Sequence, residues 1–586
     1  MVFGTKNRIV MALAVVAGSL ALGACETRIS GNATANAPVA YSHVYVTVEQ
    51  VWVNVSATAG PDDTAWLKQT LSTPQTLDLV SLTNGTLKEF ASQLPIPTGT
   101  YNQLRLILSD TSASLLSSAQ SAGAKFNNEV DYFDSSNVSQ SAALAVPSVT
   151  SGVAIPIKLD VQTSTDALAA ALAASSTSST TGTTSTTTTT TTTTTDTSST
   201  DSSGLGTVTA TAVVVFDAAR DIARFAYTDQ VGFALNARLT GQDLADVGTI
   251  RSQLSLGSLV VDTNTSRPDV QVTAEMPSTD GTRNIPVLSA PLRSDGTFIL
   301  YPFPMDDSAP TTYDLVIHGP KIRTFIIKSV PVQTGNPSTA TTVSLNSLAL
   351  VLATNTYPVN VATANSLTAR GGRIGFYQTL NASGELPYLV EERTVDPITG
   401  VFALDQTFSA DNIQVGTFNS GSTLTLSSAA PVEGTGAYKL AASGALYGDG
   451  AFGNTLTPPV AGTTTTTTFT APTLGVPTSA LSGTLTATVT VTTPGLYDKG
   501  ALVITHDGAI VTSALLDPVL ATASGTVTVA ALPAGDGTTT FDGGTYYAEA
   551  WVWNSNNPSG TFVRQPVGTL IDLRAAAAAT VNVTVN

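Results

Sequence analysis

The chain has 586 residues, a formal net charge of −17, 42% apolar residues and only 11% charged ones. That balance excludes a nucleic-acid binder, which needs clustered Lys and Arg to displace counterions from phosphates, and it disfavours adhesion to bare anionic lipid. A single cysteine excludes an intramolecular disulfide and a thiolate metal cluster, and at about 150 residues per unit the length implies about four domains.

Lys6 and Arg8 precede an apolar run from Ile9 to Ala24 that closes on Leu22, Gly23, Ala24 and Cys25. A basic start, an apolar stretch and small residues at its end make a secretory signal, and the run falls short of the about 20 residues a spanning helix needs. With the lone cysteine in that place the stretch reads as a lipobox. Residues 1–24 are then a signal peptide and Cys25 the lipidation site, with acyl chains holding the protein to a bilayer. An ordinary signal peptide beside an incidental cysteine is the weaker alternative. Glu26 stands where an aspartate would mark inner-membrane retention, so the expected location is the outer membrane of a bacterial cell envelope. Residues 25–37, small and polar, are expected to be a tether.

From Ser42, Val44, Val46 and Val48 alternate with Tyr45, Thr47 and Glu49, the period of a strand with one buried face. A phase change at Gln50 and Val51 predicts a bulge or bend. Trp66, Leu77-Asp78-Leu79, Asn84-Gly85 and Gly99-Thr100-Tyr101-Asn102-Gln103 follow, then Ile155-Pro156-Ile157-Lys158-Leu159, and Val213 to Asp217 with Arg220. In this order they resemble the bacterial lipoprotein family known as domain of unknown function 4382, over residues 38–245. The resemblance implies a secreted or anchored context and no catalytic activity. The Ala- and Thr-rich stretch 166–206 departs from the family pattern. It has too little apolar surface to offset its ordering entropy and is expected to be a disordered insertion.

Beyond Gly248, short apolar strands are separated by Asp280-Gly281, Asp295-Gly296, Asp507-Gly508 and Asp542-Gly543, the strongest short-range hairpin signal. Ser294 to Phe298 with Tyr313 to Ile317 is similar to the small transthyretin-like or carboxypeptidase-regulatory sandwich. Echoes follow at Asp396 to Phe402 and Leu532 to Tyr546. Their spacing, close to the about 100 residues of an immunoglobulin-like sandwich, places β-sandwiches at 246–350, 351–460 and 475–586, with a linker at 461–474. The expected class is all-β and multidomain, with tandem immunoglobulin-like or transthyretin-like sandwiches.

Chemistry is sparse. His43, His318 and His506 fall on separate units, and neither a His-Glu-x-x-His helix nor a Gly-x-Ser-x-Gly elbow occurs. No catalytic residue, metal ligand or cofactor is assigned. Asp262, Asn264 and Ser266 begin like a calcium loop, but Arg267 stands where glycine is required, so the stretch reads as a plain loop. Glu391 and Glu392 should point to opposite faces of a strand, which argues against an acid and base pair.

In the stretch Tyr546 to Trp553, Tyr547, Glu549, Trp551 and Trp553 share one face, and Tyr546, Ala548, Ala550 and Val552 the other. With the small-residue face buried, Tyr547, Trp551 and Trp553 would form an exposed platform for sugar rings. With the aromatic face buried they are core, which the large area of aromatic side chains favours.

The function expected is a lipid-anchored, non-enzymatic envelope protein whose modules project a binding, adhesion or spacer surface, the last module lying farthest from the lipid if the chain is linear. Its partners would be the membrane, through Cys25, and surface glycans or envelope proteins. The alternatives are a glycan-binding protein or accessory of polysaccharide degradation and, more weakly, a carboxylate-dependent glycoside hydrolase.

Overall fold

The computed structural model describes residues 27–161, 209–458 and 481–586, apart from short loops such as 260–267, 363–369, 535–543 and 557–562. The lipobox Leu22 to Cys25, the stretch 166–206, the linker 461–474 and the Asp262 loop lie outside the described residues. The described chain is almost entirely β, built as a series of sandwiches.

The first sandwich starts earlier than expected. Arg28–Asn36 is a strand and not a tether: it runs parallel to Thr209–Asp217, from Arg28 opposite Thr209 to Asn36 opposite Asp217, and antiparallel to Lys88–Pro95. Its small residues serve packing. A Cβ on Gly31 would sit 2.6 Å from the ring of Phe90, and Ala33, Ala35 and Ala37 are buried. Two of its polar side chains bond in place, the Thr34 hydroxyl donating to the Leu82 carbonyl at 3.1 Å and the Asn36 amide to Asp217 at 3.0 Å. A composition that suits a linker therefore also suits a buried strand, where small side chains allow close packing.

Facing this four-stranded layer is an eight-stranded sheet with Tyr41–Asn54 at its centre. Val44, Val46 and Val48 point into the shared core, the register shifts between Val48 and Gln50 against both neighbouring strands, and Val51 and Val53 return to the core. The predicted bulge is thus the device that keeps one long strand buried on one side.

The next two units are less separable than the turn pattern implies. Val247–Gln253, Thr297–Pro304 and Gln333–Thr334 form one layer, and Asn284–Pro291, Gln271–Pro277, Thr312–His318 and Phe325–Pro331 the other. That second layer continues into Ile413–Thr417, parallel to Phe325–Pro331, and Ser427–Ala429. Both strands belong by sequence to the 351–460 unit, so the boundary at 350 does not divide the sheets. The rest of that unit is the sheet Tyr388–Thr394, Arg373–Gln378, Tyr438–Ser443, Thr455–Leu456 and the pair Thr356–Ala362 with Ala403–Ser409.

The last sandwich sets Ser524–Pro533, Ser482–Val491 and Ala578–Val585 against Ala509–Leu515, Lys499–His506, Thr545–Trp553 and Val563–Asp572. Asp507 and Gly508 make its two-residue hairpin, with φ of 50° and 89°, as a primed turn demands. This hairpin overturns the linear arrangement, because its tip packs on the first sandwich. Asp507 accepts from Arg105 at 2.6 Å, its carbonyl accepts from Ala154 N–H at 3.1 Å, and a Cβ on Gly508 would meet Val153 at 2.8 Å. The chain folds back so that its last unit touches its first.

Candidate functional site

Two features arise where the units meet: a buried, largely apolar interface and a polar cavity. In the interface, Ala145, Ala223, Phe225 and Ala234 of the first sandwich join Ile398 of the third unit and Ala501, Val503, Ile510, Trp551 and Trp553 of the last in one buried cluster. Phe225 and Trp551 lie 5.7 Å apart between ring centroids. The indole N–H of Trp551 donates to Glu549 at 3.0 Å, and Arg564 donates to the same oxygen at 2.7 Å while reaching Asp110 of the first sandwich at 3.2 Å. Asn236 ties all three bodies: its amide donates to the Gly371 carbonyl at 2.8 Å and its carbonyl accepts from Ile510 N–H at 2.9 Å.

The sugar platform of Tyr547, Trp551 and Trp553 is therefore corrected. Trp551 is 0% and Trp553 5% exposed, and Tyr547 is half-buried. Tyr546, Ala548, Ala550 and Val552 fill the core of their own sandwich, and the aromatic face is buried as well, against other units. A strand in a sandwich offers one face to its core, and only a docking partner can cover the other.

The cavity, about 1080 Å³, opens at the distal end of strand Arg28–Asn36, between the first sandwich and the next two units. Tyr41, Tyr132, Phe225 and Phe233 line one wall; Arg220, His318, Glu391, Glu392 and Arg393 supply the charge. Strand Tyr388–Thr394 is the outermost of its sheet and runs along the cavity, so Leu389 through Thr394 all line it. Glu391 and Glu392, expected on opposite faces, thus both border one space, because the strand edge is open to the cavity.

Each carboxylate is shared with a guanidinium. Arg393 lies 2.9 Å from Glu391; Arg373 and Arg220 lie 3.5 and 3.9 Å from Glu392. Arg373 also holds buried Asp221 at 2.8 Å. Burial would lower the Arg220 pKa, but Asp217, Glu392, Glu275 and Asp221 outweigh it and raise it. His318, 3.7 Å from Glu391, is pushed down by burial and by Arg393 and Arg220, against the pull of Glu391. Behind the wall, burial pushes Glu275 up to about 8, although Leu389 N–H donates to it at 3.1 Å.

Paired charges beside aromatic rings can recognise a ligand that carries both polar groups and an apolar face. The three histidines stay apart: His43 contacts Asp78 at 2.9 Å and His506 the Thr545 carbonyl at 2.7 Å. Among the described residues no cluster of three His, Cys, Asp or Glu could hold a metal, and no helix is long and apolar enough to cross a membrane. Sequence reasoning named Arg220, His318, Glu391 and Glu392 but did not bring them together, because Arg220, His318 and the glutamate pair lie in three different units.

These features define a multidomain all-β protein with a cavity at the junction of its units. Residues 35–173, within the N-terminal domain, match the family described as domain of unknown function (DUF4382). No curated protein matches the chain. Among solved structures, the chain is similar to the Bacillus anthracis TIE protein, at 8% identity over 96% of this chain and 73% of that one, with a TM-score of 0.14. It is also similar to BcpA, the major pilin subunit of Bacillus cereus, at 10% identity over 58% of this chain and 99% of that one, with a TM-score of 0.12. At such TM-scores the likeness carries no argument.

Proposed function

We propose that the protein is a lipid-anchored, non-enzymatic lipoprotein of a bacterial cell envelope, a binding protein and not a spacer. The observation that carries the reading is the return of the last sandwich onto the first, with Asp507 on Arg105 at 2.6 Å. A spacer gains from extension, whereas here the last sandwich folds back on the first, and the first meets the next two units around a cavity. Anchoring is supported by the Leu22-Gly23-Ala24-Cys25 stretch. Replacing Cys25 with serine should release the protein from membranes or leave an unprocessed precursor, as read by membrane fractionation and intact mass. Normal membrane retention of the variant would refute anchoring.

A glycan-binding role is the second reading, and it now has support from the cavity instead of from Trp551. Aromatic rings of Tyr41 and Tyr132 beside Glu391 and Arg393 offer a stacking face with hydrogen-bonding groups. A glycan array is its test: binding that is lost in Glu391→Ala would support it, and absence of binding by the wild type would remove it.

A further inference from the structure

Arg224 borders the cavity without an ion pair. It lies on Ile222–Tyr227, the outermost strand of the eight-stranded sheet, two residues on from Ile222 and therefore on the same face, and directly opposite Phe233 in the register with Gln230–Leu235. Residues paired in this way carry their side chains on one side, within about 5 Å at Cβ. Ile222 and Phe233 are buried in the core of the first sandwich, whereas Arg224 is exposed at the cavity. Ring centroids place Tyr132 5.0 Å and Tyr41 6.0 Å from Phe233, so Arg224 stands beside an aromatic floor. Among the described residues, no carboxylate lies within ion-pair distance of it.

The carboxylates that border the same space are engaged elsewhere. Arg393 holds Glu391 at 2.9 Å, and Arg373 and Arg220 flank Glu392 at 3.5 and 3.9 Å. Asp396 accepts from the Ile398 and Thr399 N–H groups at 2.8 and 3.0 Å, and Asp269 also has a partner. Burial pushes the Tyr41 hydroxyl up, while Arg393 and Arg224 draw it down, so this hydroxyl feels guanidinium groups from both walls. Neither the Tyr41 nor the Tyr132 hydroxyl has a hydrogen-bond partner among the described residues.

We propose that the cavity takes an acidic saccharide, its carboxylate, sulfate or phosphate group on Arg224 and the Tyr41 hydroxyl, a sugar ring against Tyr132, and hydroxyls toward the Glu391–Arg393 pair opposite. The proposal rests on the glycan-binding reading and adds the charge. A guanidinium bonds an oxyanion about twice as strongly as neutral groups bond one another, so a neutral saccharide forgoes the strongest contact the cavity offers. An apolar acid would strip water from Glu391 and bring no hydroxyl to replace it. At about 1080 Å³ the cavity lies at the upper end of the range of about 300–1,000 Å³ for ligand sites, which suits an oligosaccharide. With a net charge of −17 the protein repels anions at long range, so Arg224 acts at contact.

The test uses the full-length protein and a panel of uronic-acid, sulfated and phosphorylated oligosaccharides, each beside its neutral counterpart, with affinities read by titration calorimetry at about 0.15 M salt. At least one acidic member should bind about tenfold more tightly than its counterpart, the effect of one charged hydrogen bond, and the member that does so identifies the acid. Arg224→Gln should remove that preference with the urea midpoint unchanged, and Tyr41→Phe should weaken acidic binding several-fold. Equal affinity for acidic and neutral members, or an acid preference that survives Arg224→Gln, overturns the acidic assignment and leaves the glycan-binding reading intact. Absence of binding by every member overturns both.

Discussion

Trp551→Ala separates an interface residue from a surface platform. Trp551 is 0% exposed, packs on Phe225 at 5.7 Å, and shares Glu549 with Arg564, which crosses to Asp110. Truncating a buried Trp costs about 3–5 kcal/mol through lost transfer energy and the cavity left behind. Here the loss falls on the docking of the last sandwich, because the core of that sandwich is built by the opposite face of the same strand. Arg564 still holds Glu549 at 2.7 Å, so no buried carboxylate is stranded and the cost stays within that range. Urea denaturation followed by circular dichroism should show a lowered midpoint, and limited proteolysis should release the last unit, residues 481–586, faster than in the wild type. An unchanged urea midpoint together with an unchanged cleavage pattern would refute the interface assignment.

Other perturbations probe the charges and the close approaches. Glu275, pushed by burial from 4.5 to about 8, keeps in the folded state a proton that the unfolded chain releases. Stability should therefore fall as pH rises from about 4.5 to about 8, by an amount of order 5 kcal/mol; Glu275→Gln should flatten that profile and be the more stable form at pH 8, as measured by urea midpoints across the range. Burial alone would raise the Asp507 carboxyl, but His506 and Arg105 hold it below the usual carboxylate range. Its contribution to docking is present above the ordinary Asp pKa and is lost as pH falls through the depressed one; Asp507→Asn should abolish this acid sensitivity and cost about 3 kcal/mol at neutral pH, since Arg105 is left buried without a counter-charge. Gly371→Ala would place a Cβ 1.7 Å from the Ile510 carbonyl oxygen, so it should loosen the Asn236 junction and raise hydrogen exchange at Ile510, while unchanged exchange would contradict the contact.

Local order was legible in the sequence because its causes are local. Alternation at Val44, Val46 and Val48 marked a strand, the phase change marked the bulge at Gln50, and Asp507-Gly508 marked a two-residue hairpin. The same Asp-Gly signal misled at Asp295-Gly296, which turns the chain from one sheet to another instead of closing a hairpin: Asn284–Pro291 and Thr297–Pro304 lie in different layers. Positive φ at Gly296, 79°, is what both kinds of turn need, so the dipeptide alone does not distinguish them.

By itself the sequence determined the all-β class, the resemblance of the N-terminal domain to DUF4382 and the position of the lone cysteine. Only the tertiary structure decided that Arg28–Asn36 is a strand, that Ile413–Thr417 completes a neighbouring sheet, that Trp551 is covered, and that Arg220, His318, Glu391 and Glu392 border one cavity. The physical reason is common to all four. Periodicity reports which face of a strand avoids water, but the body that covers the other face, and the strand that pairs along a free edge, come from residues far away in the chain, as Asp507 does to Arg105.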